Sequence, residues 1–235
     1  MIVAQLPCGE VLRSQVLTTL PSVDHFCSMR ACADPEAGVW MPRQVHGVTI
    51  AVLDEKLLAA PELPEADAVI TRLDGQWIGV RTADCVPILV ADPVGRVVAA
   101  VHAGWRGTVA HILRLTVGQM LDAGCQAANL YAAIGPSIGP EAFEVGEEVA
   151  DAFCQAGRGQ CVVRQLWGPR GRQRLLRPHV DLWQSNVMDL LDCDVPLDHI
   201  DCTPWCTFSN PEHFFSARQQ GIATGRNVSA ICLKC

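Results

Sequence analysis

The sequence predicts an α/β (α+β) fold with mixed sheets. Three observations carry it. The apolar runs Pro87–Ala91 and Val97–His102 are joined by Asp92-Pro93-Val94-Gly95, in which Pro93 presets a turn and Gly95 accepts positive φ, so the two runs pair as an antiparallel hairpin. Helical and strand-like periodicities interleave without strict alternation, which disfavours a doubly wound parallel sheet. No internal repeat and no long Pro/Ser/Gly tract divides the 235 residues, so 1–235 reads as one domain.

Taken in order, Val45–Leu53 alternates apolar residues and reads as a strand. Ala66–Thr71 and Trp77–Thr82 read as two more, joined by a turn at Asp74-Gly75. Thr108–Ala123 reads as one helix, with Val109, Ile112, Leu113, Val117 and Met120 on its apolar stripe, Gly124 closing it and His111 off the stripe in solvent. Leu130–Ile134 follows as a strand. Glu147–Gln155 is a helix with acidic residues at its positive end. A third helix starts after Asp181, a plausible N-cap. Short strands at Phe214–Ala217 and Val228–Leu233 end the chain.

Composition narrows function. A net charge of −7 disfavours nucleic acid, since a backbone binder clusters Lys and Arg; the group Arg164–Arg177, broken by Gly168, Pro169 and Gly171, reads as an exposed loop or hairpin. No stretch is long and apolar enough for a bilayer, and Met1–Leu20 lacks a secretory pattern, so the cytoplasm is the expected compartment. There the twelve cysteines read mostly as buried thiols.

Three segments carry reactive groups: Gln44-Val45-His46-Gly47, Thr82-Ala83-Asp84-Cys85, and Val101-His102-Ala103-Gly104-Trp105-Arg106-Gly107. Cys85 opens one arm of the hairpin and His102 ends the other, so both sit on one rim of the sheet. A neighbouring thiolate and imidazole can ligate zinc with a third donor and an open position, or the histidine can activate the cysteine as a nucleophile. A buried thiol beside a hydrogen-bonded histidine is the non-catalytic alternative. Gly135-Pro136-Ser137-Ile138-Gly139-Pro140 lacks both the amides and the Gly-Lys ending of a phosphate loop and reads as a rigid turn. Cys202, Cys206, Cys232 and Cys235 could form a second, structural zinc site or stand as independent thiols.

Those segments, with Ala66-Asp67-Ala68, Phe143-Glu144-Val145-Gly146, Asp201-Cys202-Thr203, Phe215-Ser216-Ala217-Arg218 and Thr224-Gly225-Arg226, resemble the laccase-domain family, once called multicopper polyphenol oxidoreductases. Its members are described as purine nucleoside phosphorylases or peptidoglycan-precursor editing factors. The resemblance implies a four-layer α/β/β/α sandwich and zinc ligation by His46, Cys85 and His102. It implies phosphate-dependent cleavage of adenosine, inosine and methylthioadenosine with adenosine deamination alongside, so the expected partners are a purine nucleoside and phosphate. Cys85, His102 and Asp84 are then the expected catalytic residues, Asp84 orienting a ligand histidine or moving a proton. Arg30 and Arg218 are the expected phosphate clamp. An editing hydrolase using zinc-bound water or Cys85 is a competing reading. A copper oxidase of phenols is a further one, against which stands the lack of clustered histidines for a multicopper centre. Relative to the family, about two dozen residues are missing between Arg30 and Trp40, where a pocket loop belongs.

Overall fold

The computed structural model describes residues 1–168 and 171–235. In chain order its strands are β1 (Ile2–Leu6), β2 (Gly9–Arg13), β3 (Val23–Ser28), β4 (Val39–Trp40), β5 (Ile50–Leu53), β6 (Ala68–Thr71), β7 (Trp77–Thr82), β8 (Val86–Asp92), β9 (Val97–Ala103), β10 (Tyr131–Ile134), β11 (Val162–Gly168), β12 (Gly171–Val180), β13 (Ile200–Cys202) and β14 (Asn227–Leu233). The helices are α1 (Gln15–Thr18), α2 (Glu55–Leu58), α3 (Trp105–Val109), α4 (Ile112–Asp122), α5 (Glu147–Gln155), α6 (Leu182–Leu191) and α7 (Ala217–Gln220).

Two mixed six-stranded sheets stack face to face. The first runs β1-β2-β3-β14-β7-β4 and the second β13-β10-β8-β9-β6-β5, while β11 and β12 form a separate hairpin. The alternation of side chains explains the layers. Along β8 and β9, Ile88, Val90, Val97, Ala99 and Val101 face the helices, where Leu113, Val117, Phe153 and Leu190 meet them. The alternate residues Leu89, Ala91, Val98 and Ala100 face the first sheet and pack on Ile78, Val80, Ile231 and Leu233. The first sheet's outer face holds a smaller cluster, in which Phe26, Val228 and Ala230 are closed over by Cys32 and Met41. Strands buried on both faces read as continuous apolar runs, which is why β8 and β9 stand out in the sequence.

The β8–β9 hairpin forms with Pro87 opposite His102, as its turn chemistry requires. The helices at Glu147–Gln155 and after Asp181 also form, Asp181 accepting the Gln184 N–H at 2.9 Å. Elsewhere the local pattern yields to tertiary contacts. The strand expected from Val45 begins only at Ile50, because a buried carboxylate, not a neighbouring strand, takes the 45–47 amides. The turn at Asp74-Gly75 leads from β6 into β7 of the other sheet, and Gly75 N–H is held by the Leu233 carbonyl at 2.7 Å. The helix expected over Thr108–Ala123 breaks at His111, which takes φ 56° and sends Nδ1 to Asp189 Oδ1 at 2.9 Å, so it is not a solvated helix residue. Phe214–Ala217 is not a strand, since Ser216 instead caps α7 by accepting from Gln219 N–H. The arginine-rich segment is the β11–β12 hairpin, with Pro169 and Arg170 outside the described residues.

Candidate metal centre

The same alternation that builds the core aims three donors at one point. His102 lies on β9 in phase with Val98 and Ala100, so it faces the gap between the sheets at the strand's end. Cys85 precedes β8 in phase with Pro87 and Leu89 and meets it there. His46 enters from the Gln44–Val48 loop with φ 60°. The donor atoms of His46, Cys85 and His102 lie within 4.8 Å of one another, the only such group of three or more among the described residues. The two rings meet edge to face with centroids 4.8 Å apart.

Asp67 assembles the group. Wholly buried just before β6, it accepts from His46 N–H at 2.9 Å, Gly47 N–H at 2.6 Å and Val45 N–H at 3.2 Å. The same carboxylate meets His102 Nδ1 at 2.8 Å, which leaves Nε2 free for an ion. Burial alone would raise the Asp67 pKa, but the His102 contact and the Gly47 and His46 amides hold it below its usual value. Gln44 completes the loop: its side chain accepts from Arg81 N–H and donates to Arg81 C=O, both at 2.8 Å, like one more residue of strand. Asp67 carried no role in the sequence reading; the signal available was a charged residue heading the apolar run Ala68–Ile70.

The electrostatics favour a thiolate. Burial opposes ionisation of Cys85, but hydrogen bonds from His102 and His46 outweigh it and bring the thiol down to about 6. Burial likewise opposes the His102 cation, and Asp67 with Cys85 overcomes it, lifting the imidazole to about 9. Without a metal the pair is therefore a thiolate beside an imidazolium, and a bound cation takes the proton's place. Gly104 keeps the donors uncrowded: a Cβ built there would lie 3.1 Å from Cys85 Sγ and 3.2 Å from His46 Cδ2. One thiolate and two imidazoles within 4.8 Å of one another thus fit a metal in both chemistry and spacing.

A cleft of about 430 Å³ opens onto the donors, walled by Gln44, Arg81, Thr82, Ala217, Ile222 and Arg226. A shallower recess of about 330 Å³ shares His46 and Cys85 and runs out to Asp84, Phe143 and Arg218. Asp84 does not orient a histidine: it accepts from Thr207 Oγ1–H and Arg218 N–H, each at 2.7 Å, and Asp67 holds the histidine instead. The Arg218 guanidinium donates to the Glu144 carbonyl at 3.0 Å and lies 5.4 Å from the Phe143 ring centroid. Arg30 donates to the Phe214 carbonyl at 2.7 Å and stacks 4.2 Å above Phe215, apart from the cleft lining. Of the two, Arg218 lines the recess that reaches His46 and Cys85, and Arg30 is not in its lining. Cys202, Cys206, Cys232 and Cys235 form no metal group among the described residues; Cys206 Sγ instead accepts the Gly139 N–H at 3.2 Å.

Residues 24–234 match the family model described as multi-copper polyphenol oxidoreductase laccase. The chain belongs to that family. A purine nucleoside phosphorylase of Bacteroides thetaiotaomicron is 38% identical over 200 residues, covering 82% of this chain and 72% of its own. The protein named adenosine deaminase RL5, from an unknown prokaryotic organism, is 40% identical over 202 residues, covering 83% and 74%. Among solved structures, Bacillus licheniformis YfiH aligns at TM-score 0.72 and 27% identity, covering 84% of this chain and 74% of that one. YlmD of Geobacillus stearothermophilus has the same fold at TM-score 0.82 and 23% identity, covering 100% and 99%.

These findings correct the expected chemistry. The matched family is described by copper and polyphenols, and a His–Cys–His donor set is one copper takes. Zinc as the cofactor, purine nucleoside and phosphate as substrates, and the transferase, hydrolase and deaminase activities expected with them are overturned by the description of the matched family, which together with the His–Cys–His group favours copper over zinc. The multicopper part of the description has no counterpart here, since the described residues offer one donor group. No helix among the described residues is long and apolar enough to cross a membrane.

Proposed function

We propose that residues 1–235 act as one unit, a copper-dependent oxidoreductase that takes electrons from a small phenol and passes them to dioxygen. The observation that carries this reading is the thiolate and two imidazoles at the floor of an open cleft. Soft thiolate suits Cu(I) and imidazole suits Cu(II), so the set tolerates both states. Copper bound there would supply single-electron transfer. Two phenols, each losing one electron and one proton, reduce one dioxygen to hydrogen peroxide.

The chain's own residues do the rest. His46, Cys85 and His102 hold the ion, and Asp67 fixes the His102 tautomer and the His46 loop. Ile222 and Phe143 give the cleft apolar walls for an aromatic ring. Asp84 lines the recess as the group that takes the phenolic proton. Arg218 shapes the outer wall, and Arg30 supports it from behind through Phe214 and Phe215. Twelve unpaired thiols fit the cytoplasm as its compartment.

The test loads metal-stripped protein with one equivalent of copper or zinc and follows dioxygen uptake with a simple phenol. A parallel arm offers inosine with and without phosphate. Copper-dependent uptake that disappears in Cys85→Ala is the expected result. Zinc-loaded protein that releases purine while copper-loaded protein leaves phenol untouched overturns the proposal.

A further inference from the structure

All twelve cysteines are unpaired, and two of them meet away from the metal centre. Cys8 occupies the turn between β1 and β2, and Cys32 lies on the coil after β3. Their backbones touch: Ala33 N–H donates to the Cys8 carbonyl at 2.6 Å. A Cβ placed on Gly9 would stand 3.2 Å from the Cys32 Cα. Both side chains belong to the apolar cluster of Val11, Phe26 and Met41, where Cys32 is 7% exposed and Cys8 partly buried. Burial first, then the adjacent Cys8 thiol, push the Cys32 thiol up to about 12.

We propose that Cys8 and Cys32 are a redox-convertible pair that closes to a disulfide under peroxide. The asymmetry divides the work. Cys8 is the more accessible of the two and meets the oxidant, while Cys32 is shielded beside it. The Cys8 sulfur attacks hydrogen peroxide, the O–O bond breaks, and the products are Cys8 sulfenic acid and one water. The Cys32 sulfur then displaces the sulfenic oxygen, which leaves with the Cys32 proton as a second water. Two thiols and one peroxide give one disulfide and two waters, and a dithiol reductant reverses the change.

Such a bond would tie the β1–β2 turn to the segment that leads into the cleft. From Cys32 the chain runs through Glu36, whose carboxylate grips the Arg81 guanidinium at 2.6 and 2.7 Å, and on through β4 to Gln44 and His46. The exposed thiols Cys154, Cys202 and Cys235 lie on α5, on β13 and after β14, and each serves as an internal control for random oxidation.

The experiment treats reduced full-length protein with stoichiometric hydrogen peroxide, blocks remaining thiols and maps peptides. Expected are a mass loss of about 2 Da, a Cys8–Cys32 cross-linked peptide, and a melting temperature raised by about 5–10 °C, all undone by dithiothreitol. Cys8→Ser is the chosen variant, because the partly exposed turn tolerates a near-isosteric change whereas truncating buried Cys32 opens a cavity. Reduced Cys8→Ser should melt within about 2 °C of the reduced parent, consistent with a surface change, and show neither cross-link nor oxidative shift. A different pair, or Cys8 advancing to sulfinic acid while Cys32 remains alkylable, overturns the assignment.

Discussion

Replacing Gly104 by alanine tests how tightly the donors are packed. Gly104 has φ −70° and ψ 170°, an ordinary extended backbone, so alanine brings no conformational strain and only its methyl matters. That methyl would stand 3.1 Å from Cys85 Sγ and 3.2 Å from His46 Cδ2, several tenths of an ångström inside ordinary contact. Both neighbours are metal donors, and neither is a floppy chain end: His46 is pinned through Asp67, and Cys85 enters β8. Relief therefore spreads the donors by a few tenths of an ångström, beyond the roughly 0.2 Å tolerance of a good site. Metal affinity should fall about 10–100-fold, or about 1.4–2.8 kcal/mol. The overpacking itself should cost the metal-free fold about 1 kcal/mol. Competition against a chromophoric chelator reads the first number and thermal melting of stripped protein the second. Affinity unchanged within about twofold, with an unchanged melting point, would refute the packing argument.

Asp67→Asn replaces an acceptor of three backbone amides and His102 with a group that must turn donors toward donors; it should lose about 2–4 kcal/mol of stability and weaken metal binding at least tenfold, read by denaturant melts and chelator competition. His25 is buried and its pKa is lowered to about 4, first by burial and then by Arg13, so between about pH 6.5 and 4 the unfolded chain binds more protons and stability falls as pH drops. The loss should approach about 3 kcal/mol by pH 4, and His25→Gln, whose amide oxygen can still accept from Ser14 N–H, should flatten that window in urea titrations. Gly118 in α4 has nothing within 4 Å of where an added methyl would sit, so Gly118→Ala should raise stability by about 0.5–1 kcal/mol; a destabilised variant in thermal melts would show that the helix face is not free.

What the sequence made legible follows from which signals are local. The β8–β9 hairpin announces itself because its turn residues and its apolar runs agree, and that hairpin alone brings Cys85 and His102 to one rim. Helix α5 is legible for a similar reason, its stripe and its acidic first turn pointing the same way. The first sheet's strands β1, β2 and β3 escaped because their side chains lack a clean alternation: β3 carries Asp24, His25 and Ser28 among apolar neighbours. His25 is buried there because Ser14 N–H donates to it at 2.8 Å, a partnership eleven residues distant that no local pattern displays. Arg30 and Arg218 were legible as residues and not as geometry, since their carbonyl partners at Phe214 and Glu144 are set by tertiary contacts.

The failure at Val45 and the success at His46 have one cause. Val45, Val48 and Ile50 alternate well enough for a strand, yet Val45 is 44% and Val48 38% exposed. A strand through His46 would send its amides to a neighbouring backbone and swing the imidazole along the sheet edge. Asp67 offers the amides of residues 45–47 a buried carboxylate instead, and a charge-assisted acceptor outcompetes a neutral carbonyl. Accepting it forces His46 to φ 60°, a left-handed conformation that costs on the order of 1 kcal/mol and turns the ring back over Cys85. The same oxygen that receives the His46 amide also holds His102. One carboxylate thus converts a stretch patterned as a strand into the third arm of the metal centre, so the loop cannot drift from the β9 histidine without breaking the bonds that orient both ligands.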